Sequence, residues 1–232
     1  MAKKPPLRIL MSLTFAYIFS AINITAMLTN FLLGGKLRLG RYPAVFIITK
    51  LLLVPSIFLI YCLIANDINW KVASFAFFGW LGDALLLIDK FALLFLGAVS
   101  FSISHLSINS FFDINWSMVK PIAMAIILPI SITYLLFFLP KFHYKKPKDF
   151  FAAAYFSLIV YNCTCTFLRS YMYSVFHPSF LMCFIGYVFF VISDTLLAIY
   201  EFGISDNPRR FGIMSTYFVA QFLIMHGAAF SI

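Results

Sequence analysis

The chain has 232 residues, of which 63% are hydrophobic and only 11% charged, with a formal net charge of +9. A soluble domain is about half apolar and a quarter charged, so this composition excludes an ordinary water-soluble fold. It points instead to a single polytopic membrane domain over residues 1–232. The positive charge does not call for nucleic acid, because the Lys and Arg residues lie in short connectors between apolar runs, where they set membrane orientation.

The first apolar run, 9–33, follows Lys3, Lys4 and Arg8. At about 25 residues it exceeds a signal-peptide core, and no small-residue cleavage pattern ends it, so it reads as a membrane helix. Further runs follow at 43–65, 71–88, 91–112, 117–139, 149–170, 177–201 and 209–230. Each is long enough to cross a hydrocarbon layer of roughly 30 Å, with 71–88 the shortest. The breaks hold turn formers or charges, such as Gly34-Gly35, Asn66-Asp67-Ile68-Asn69, Asp89-Lys90, Asp113-Ile114-Asn115 and Ser205-Asp206-Asn207-Pro208. The expected fold is therefore an all-α membrane protein, a bundle of about eight transmembrane helices. Short connectors make sequence neighbours antiparallel hairpins. No fixed-period repeat is present.

Eight spans put both termini on one face, side A, with Lys3, Lys4, Arg8, Lys71, Lys120 and Arg169. The opposite face, side B, carries Lys36, Arg38, Arg41, Lys90, Lys141, Lys145, Lys146, Lys148, Arg209 and Arg210. The excess favours side B as cytoplasmic. The cysteines, Cys62, Cys163, Cys165 and Cys183, all fall inside apolar runs without metal-site spacing and read as small buried hydrophobes.

Ionisable groups inside the spans are few: Lys50, Asp83, His105, Asp194 and, near an end, Glu201. Such residues are rare in hydrocarbon and mark functional sites or helix-packing devices. By helical rise, Lys50, Asp83 and Asp194 fall on the order of 8–11 Å below the side-B surface. Tyr217 falls at about 12 Å, and His105 and Gln221 nearer 18–21 Å. Five spans thus direct polar groups toward the side-B half, which predicts a polar pocket open to side B.

The run Leu81–Phe112 holds Gly82-Asp83 with Leu86, then Phe95 with Gly97, then Phe101 with His105. A second Ser-Asp signature stands at Ser193-Asp194, and Ile213–Ile224 forms the last apolar helix. Together, from about residue 43 to 228, these resemble the YhhN/TMEM86 family of lysoplasmalogenases. The Phe95 spacing is one residue short of that pattern. Leu51 follows Lys50 where relatives often have proline, and Ile108 stands where relatives often have tyrosine.

The resemblance implies hydrolysis of the vinyl-ether bond of lysoplasmalogen to a fatty aldehyde and glycerophosphoethanolamine or glycerophosphocholine. The implied partners are a lysophospholipid substrate and the bilayer. The implied location is the endoplasmic reticulum of a eukaryote or the inner membrane of a bacterium. Asp83 and Asp194 are the catalytic candidates. Lys50 is the candidate phosphate ligand, with Arg209 and Arg210 as alternatives, and His105, Tyr217 and Gln221 line the substrate site. No metal or other cofactor is expected.

The chemistry suits these residues. Protonating a vinyl ether on the carbon β to oxygen gives an oxocarbenium ion, which water then attacks. Two carboxyl groups in unlike surroundings serve such a cation in glycoside hydrolysis. One, kept neutral by desolvation, donates the proton; the other stays ionised beside the cation. The apolar neighbours of Asp83 suit it to the acid role, with Asp194 as partner, although the sequence leaves the two roles interchangeable. A different class, a transporter or lipid-binding protein using Asp83 and Asp194 as proton or cation sites, lacks the expected repeats. A zinc hydrolase would need three ligands at one depth.

Overall fold

A computed structural model describes residues 7–34, 40–88, 91–141, 147–173, 177–201 and 210–230. Among them are eight α-helices and no strand: α1 (Leu7–Gly34), α2 (Pro43–Ile64), α3 (Trp70–Leu85), α4 (Phe91–Phe111), α5 (Pro121–Phe138), α6 (Pro147–Tyr173), α7 (Pro178–Glu201) and α8 (Arg210–Ala229). Four of them, α2, α5, α6 and α7, begin on proline. A proline there wastes no hydrogen bond and presets the helical φ. Asn69 caps α3, its side chain accepting the Lys71 N–H at 2.9 Å.

Seven helices are long and apolar enough to cross a membrane: α1, α2 and α4 to α8. The protein is accordingly an integral, multi-pass membrane protein. The third segment differs from expectation. α3 has 16 residues, about 24 Å of helix, because the chain tightens past Leu85. The Leu87 N–H bonds the Ala84 carbonyl at 3.3 Å and the Ile88 N–H that of Leu85 at 3.4 Å, the i→i+3 pattern of a closing turn.

The helices form a closed ring. α2 packs on α3, α3 on α4, α4 on α6, α6 on α7, α7 on α8, and α8 back on α2. α1 lies outside, against α2 and α8, and α5 lies against α6. α1 buries Ala16, Ser20, Asn23, Ile24, Met27, Asn30 and Phe31, one helical stripe, and exposes Met11, Phe15 and Ile22. α5 buries only Ala123 and Ile127. Its exposed Ile126, Ile130, Leu136 and Phe137 present an apolar face suited to lipid. The four cysteines are free, Cys165 and Cys183 buried and the other two half-buried.

Lipid supplies no hydrophobic drive to pack one helix on another, so close backbone approach and interhelical hydrogen bonds do it. α3 meets α4 through Gly79 and Gly82. A Cβ added at Gly82 would stand 2.7 Å from the Phe101 ring. Ser100 and Ser104 of α4 donate to the α3 carbonyls of Phe78 and Phe75 at 3.0 and 2.7 Å. α7 meets α8 the same way. A Cβ at Gly186 would lie 2.8 Å from Ile224 and 3.1 Å from the Ala220 carbonyl. Ser179 and Ser193 donate to the Gly227 and Ile213 carbonyls at 2.5 and 3.0 Å.

Pro55 sits inside α2 and cannot donate to the carbonyl four residues back, that of Leu51. The Trp80 indole N–H of α3 fills that gap, donating to Leu51 O at 3.1 Å. The freed carbonyl thus becomes a tie between two ring helices.

Gly186→Ala should lower the thermal unfolding midpoint in detergent by the equivalent of about 1–3 kcal/mol, the cost of overpacking a tight site. Gly79→Ala should cost clearly less, because its added Cβ would meet nothing nearer than Ser104 Oγ at 3.4 Å. Equal losses would show that the α7–α8 approach is not tight.

Candidate active site

Each of the six ring helices places at least one polar side chain toward the centre, and these join into two layers. The first starts from Lys50 on α2. Its ammonium is 3.3 Å from Asp83 Oδ1 on α3. The Tyr217 hydroxyl of α8 donates to the other oxygen, Asp83 Oδ2, at 2.7 Å. Gln221, one turn further along α8, donates its Nε2–H to the Tyr217 oxygen at 3.2 Å. Asp83 is 3% exposed, so nearly all its solvation comes from these partners. With a cation on one oxygen and a hydroxyl donor on the other, it is built to be an ionised acceptor.

Asp83 lies in the last turn of α3, nearer the helix end than the sequence count placed it. Lys50 and Tyr217 each stand seven residues inside their own helices, on the order of 10 Å. Since all three meet, the end of α3 is sunk below the ends of α2 and α8. The last carbonyls of a helix carry partial negative charge. Lys50 therefore answers both the carboxylate and the helix terminus beside it.

Asp149, in the first turn of α6, and Asp194 on α7 are also buried carboxyls, and Asp194 is the one beside Asp83. The Tyr155 hydroxyl of α6 lies within hydrogen-bonding reach of Asp194, while Asp194 Oδ2 is buried with no partner. Asp83 and Asp194 are close enough to interact electrostatically, and Tyr217 lies within reach of both charges.

The second layer is centred on His105 of α4, which is wholly buried. Its Nδ1 is 3.1 Å from the Tyr187 hydroxyl of α7. Asn162 of α6 donates Nδ2–H to the His105 carbonyl at 3.1 Å and to the Tyr187 oxygen at 3.4 Å. The Tyr187 oxygen accepts from Asn162, and its own proton can be donated to His105 Nδ1 in the Nε2–H tautomer of the imidazole. His105 Nε2 and Asn162 Oδ1 have no partner. Phe190 joins the layers, its ring 4.6 Å from His105 and 5.6 Å from Tyr217, edge-on to each.

All six residues singled out from the sequence lie on ring helices. Lys50, Asp83, Tyr217 and Gln221 form one connected chain. Asp194 stands beside it, and His105 belongs to the second layer. Lys50, expected at a substrate phosphate, is engaged with Asp83. The side chains of Arg209, Arg210 and Glu201 lie outside the described residues. Tyr155, Asn162 and Tyr187 escaped the sequence reading, because a Tyr or Asn in a span ordinarily serves helix packing. Their signal was spacing: Tyr155 and Asn162 are seven apart on α6, as are Tyr187 and Asp194 on α7, and seven residues return to one helix face. Among the described residues, no three His, Cys, Asp or Glu side chains approach closely enough to hold a metal ion.

An all-α multi-pass membrane protein whose helical ring encloses two carboxyl groups, one ion-paired and one with an open oxygen, is thus the class that fold and site define. The model of the YhhN family matches residues 45–228, a stretch that runs from the first turn of α2 to the last turn of α8, and the chain belongs to that family. No curated protein and no solved structure matches it.

Lys50→Met should destabilise the protein to graded SDS unfolding by about 3 kcal/mol, since it strands a buried carboxylate. Adding Asp83→Asn should recover most of that loss, because the stranded charge is gone. A double variant no more stable than Lys50→Met would show that the two groups do not interact.

Proposed function

We propose that this protein is a lysoplasmalogenase-type hydrolase that cleaves the vinyl-ether bond of a lysophospholipid by acid–base catalysis with two carboxyl groups. Family membership is consistent with that activity. The observation that carries the residue roles is the unequal use of carboxyl oxygens. Asp83 has a donor on each oxygen, whereas Asp194 keeps Oδ2 open. Asp194 is therefore assigned as the acid and Asp83 as the ionised partner, the reverse of the assignment that the apolar sequence around Asp83 suggests.

The steps balance. Asp194 gives its proton to the alkenyl carbon β to oxygen, and the positive charge falls on the ether oxygen and its neighbouring carbon. The negative charge of Asp83 stabilises that cation. Water adds to the carbon and loses a proton to Asp83, giving a hemiacetal. As the hemiacetal collapses to aldehyde, its hydroxyl proton returns to Asp194. The proton on Asp83 passes to the departing glycerol oxygen. One water is consumed and both carboxyl groups return to their starting states. Lys50 and Tyr217 hold Asp83 in place through this cycle, and Tyr155 holds Asp194 with its open oxygen turned away from the Tyr155 contact.

The test is aldehyde release by purified protein from lysoplasmalogen, with the saturated-ether lysolipid as control. The alkenyl lipid should be cleaved and the saturated one left intact. Asp194→Asn should lower turnover by at least roughly 10²-fold, the lower bound for general acid catalysis. Asp83→Asn should also be severely impaired, through loss of the charge beside the cation. Cleavage of the saturated ether at a similar rate, or an Asp194→Asn variant within about threefold of wild type, would overturn the assignment.

A further inference from the structure

The Tyr217 hydroxyl has a single proton, and it is committed to Asp83 Oδ2. The Tyr217 oxygen can then only accept from Gln221, so the Gln221 amide must turn its N–H₂ toward it. That fixes the other end of the amide. Gln221 Oε1 is an acceptor, in a side chain 1% exposed, and it has no partner. Side chains on a helix lean toward its N-terminus, which for α8 is the side-B end, so the amide rises to the level of the carboxylate. Gly79 faces it from α3: even a Cβ built there would lie 3.8 Å from Gln221 Nε2. The α3 backbone thus runs beside the amide without crowding its nitrogen.

A buried acceptor calls for a donor. Two unpartnered oxygens stand near Asp83, namely Asp194 Oδ2, which carries the acid proton in the proposed roles, and the acceptor Gln221 Oε1. The first is taken up by proton transfer. Asn162 Oδ1 belongs to the deeper layer with His105. A lysolipid with a vinyl ether on its first glycerol carbon has no donor in the ether, the alkene or the phosphodiester. Its donor near the reacting bond is the hydroxyl on the second glycerol carbon, next to the ether-bearing one.

We infer that Gln221 Oε1 accepts the free sn-2 hydroxyl of the substrate and so reads whether that position is unacylated. This inference rests on the vinyl-ether reading for its choice of lipid, but it concerns binding and can be tested without turnover. Gln221 is here a specificity-determining residue and takes no part in proton transfer. A ligand lacking the hydroxyl leaves the amide oxygen buried and unpaired, at a cost that corresponds to roughly ten- to hundredfold in affinity.

The experiment measures binding of two saturated-ether lysophosphocholines to the purified full-length protein in detergent, one with a free sn-2 hydroxyl and one with that oxygen methylated. Wild type should bind the free hydroxyl at least about tenfold more tightly. Gln221→Met should bind the two equally, with the affinity of wild type for the methyl ether, whereas a general packing defect would weaken both in proportion. Changing the ligand tests the idea on wild type even if Gln221→Met does not fold. Equal binding of the two lipids by wild type, or a preference that survives Gln221→Met, would overturn the inference. Discrimination in binding together with no aldehyde from lysoplasmalogen would support it while rejecting the hydrolase reading.

Discussion

The contact between Lys50 and Asp83 sets the terms for the rest of the bundle. An ionised carboxylate facing lipid is intolerable, and one beside a helix C-terminus is worse placed still. Both problems are met by one ammonium from the neighbouring helix, which requires α2 and α3 to hold a fixed relative height. Other contacts hold it. Pro55 frees the Leu51 carbonyl, and Trp80, three residues before Asp83, binds that carbonyl. The covalent defect in α2 and the charge in α3 thus lie within one turn of each other and are served by the same pair of helices. A buried ion pair is weak evidence for stability, because desolvation can exceed the Coulombic gain. The pair is better understood as fixing where a negative charge stands.

Small residues make that placement useful. The glycines and serines between α3 and α4, and between α7 and α8, bring backbones close enough that side chains from helices not adjacent in the ring bond directly. Tyr217 of α8 reaches Asp83 of α3 past α2, and His105 of α4 reaches Tyr187 of α7 past α6. One layer ties α2, α3 and α8, and the other ties α4, α6 and α7. The two carboxyl groups lie where these halves meet. Asp83 belongs to the first half, and Asp194, held by Tyr155, to the second. A change in the spacing of the halves would alter the distance between the carboxyls before it broke any hydrogen bond within either layer.

The helices were legible because lipid imposes a strong and simple rule on composition, and their ends were legible where proline or Asn marks them. The end of α3 was not, since Leu85 to Leu87 is a run of leucines with no turn former, and the turn there follows from packing. Lys50, Asp83, His105 and Asp194 stood out because ionisable groups are conspicuous in hydrocarbon, and Tyr217 and Gln221 because their depth along the last helix put them in the same half of the bundle. What each one touches was hidden, since pairing depends on helix order in the ring, and α4 adjoins α6 while α5 is passed over. The roles proposed for the two Asp residues turned on the same gap. Apolar sequence neighbours of Asp83 suggested an unpaired acid, yet on a helix the immediate neighbours point elsewhere. The groups that decide its state come from Lys50 and Tyr217, 33 positions before it and 134 after it.

The sunken end of α3 gives the depth of this site a chemical meaning. A bilayer adds about 5–7 Å of headgroup region to each side of its hydrocarbon core, so helices such as α2 and α8 can begin among headgroups. A carboxylate on the order of 10 Å below those ends is then near the top of the hydrocarbon, where a lysolipid anchored by its phosphate carries the bond between glycerol and chain. A full-length α3 would have continued upward beside Lys50 and filled that level with another turn of helix. Shortening it by a few residues lets one carboxylate stand at its terminus with Tyr217 and Gln221 to one side and Asp194 to the other. If the protein acts as the proposed vinyl-ether hydrolase, the lipid would not need to be drawn out of its leaflet for its ether bond to meet both groups. In that proposal recognition falls to the neutral amide of Gln221 at the glycerol, which leaves Lys50 to keep Asp83 charged.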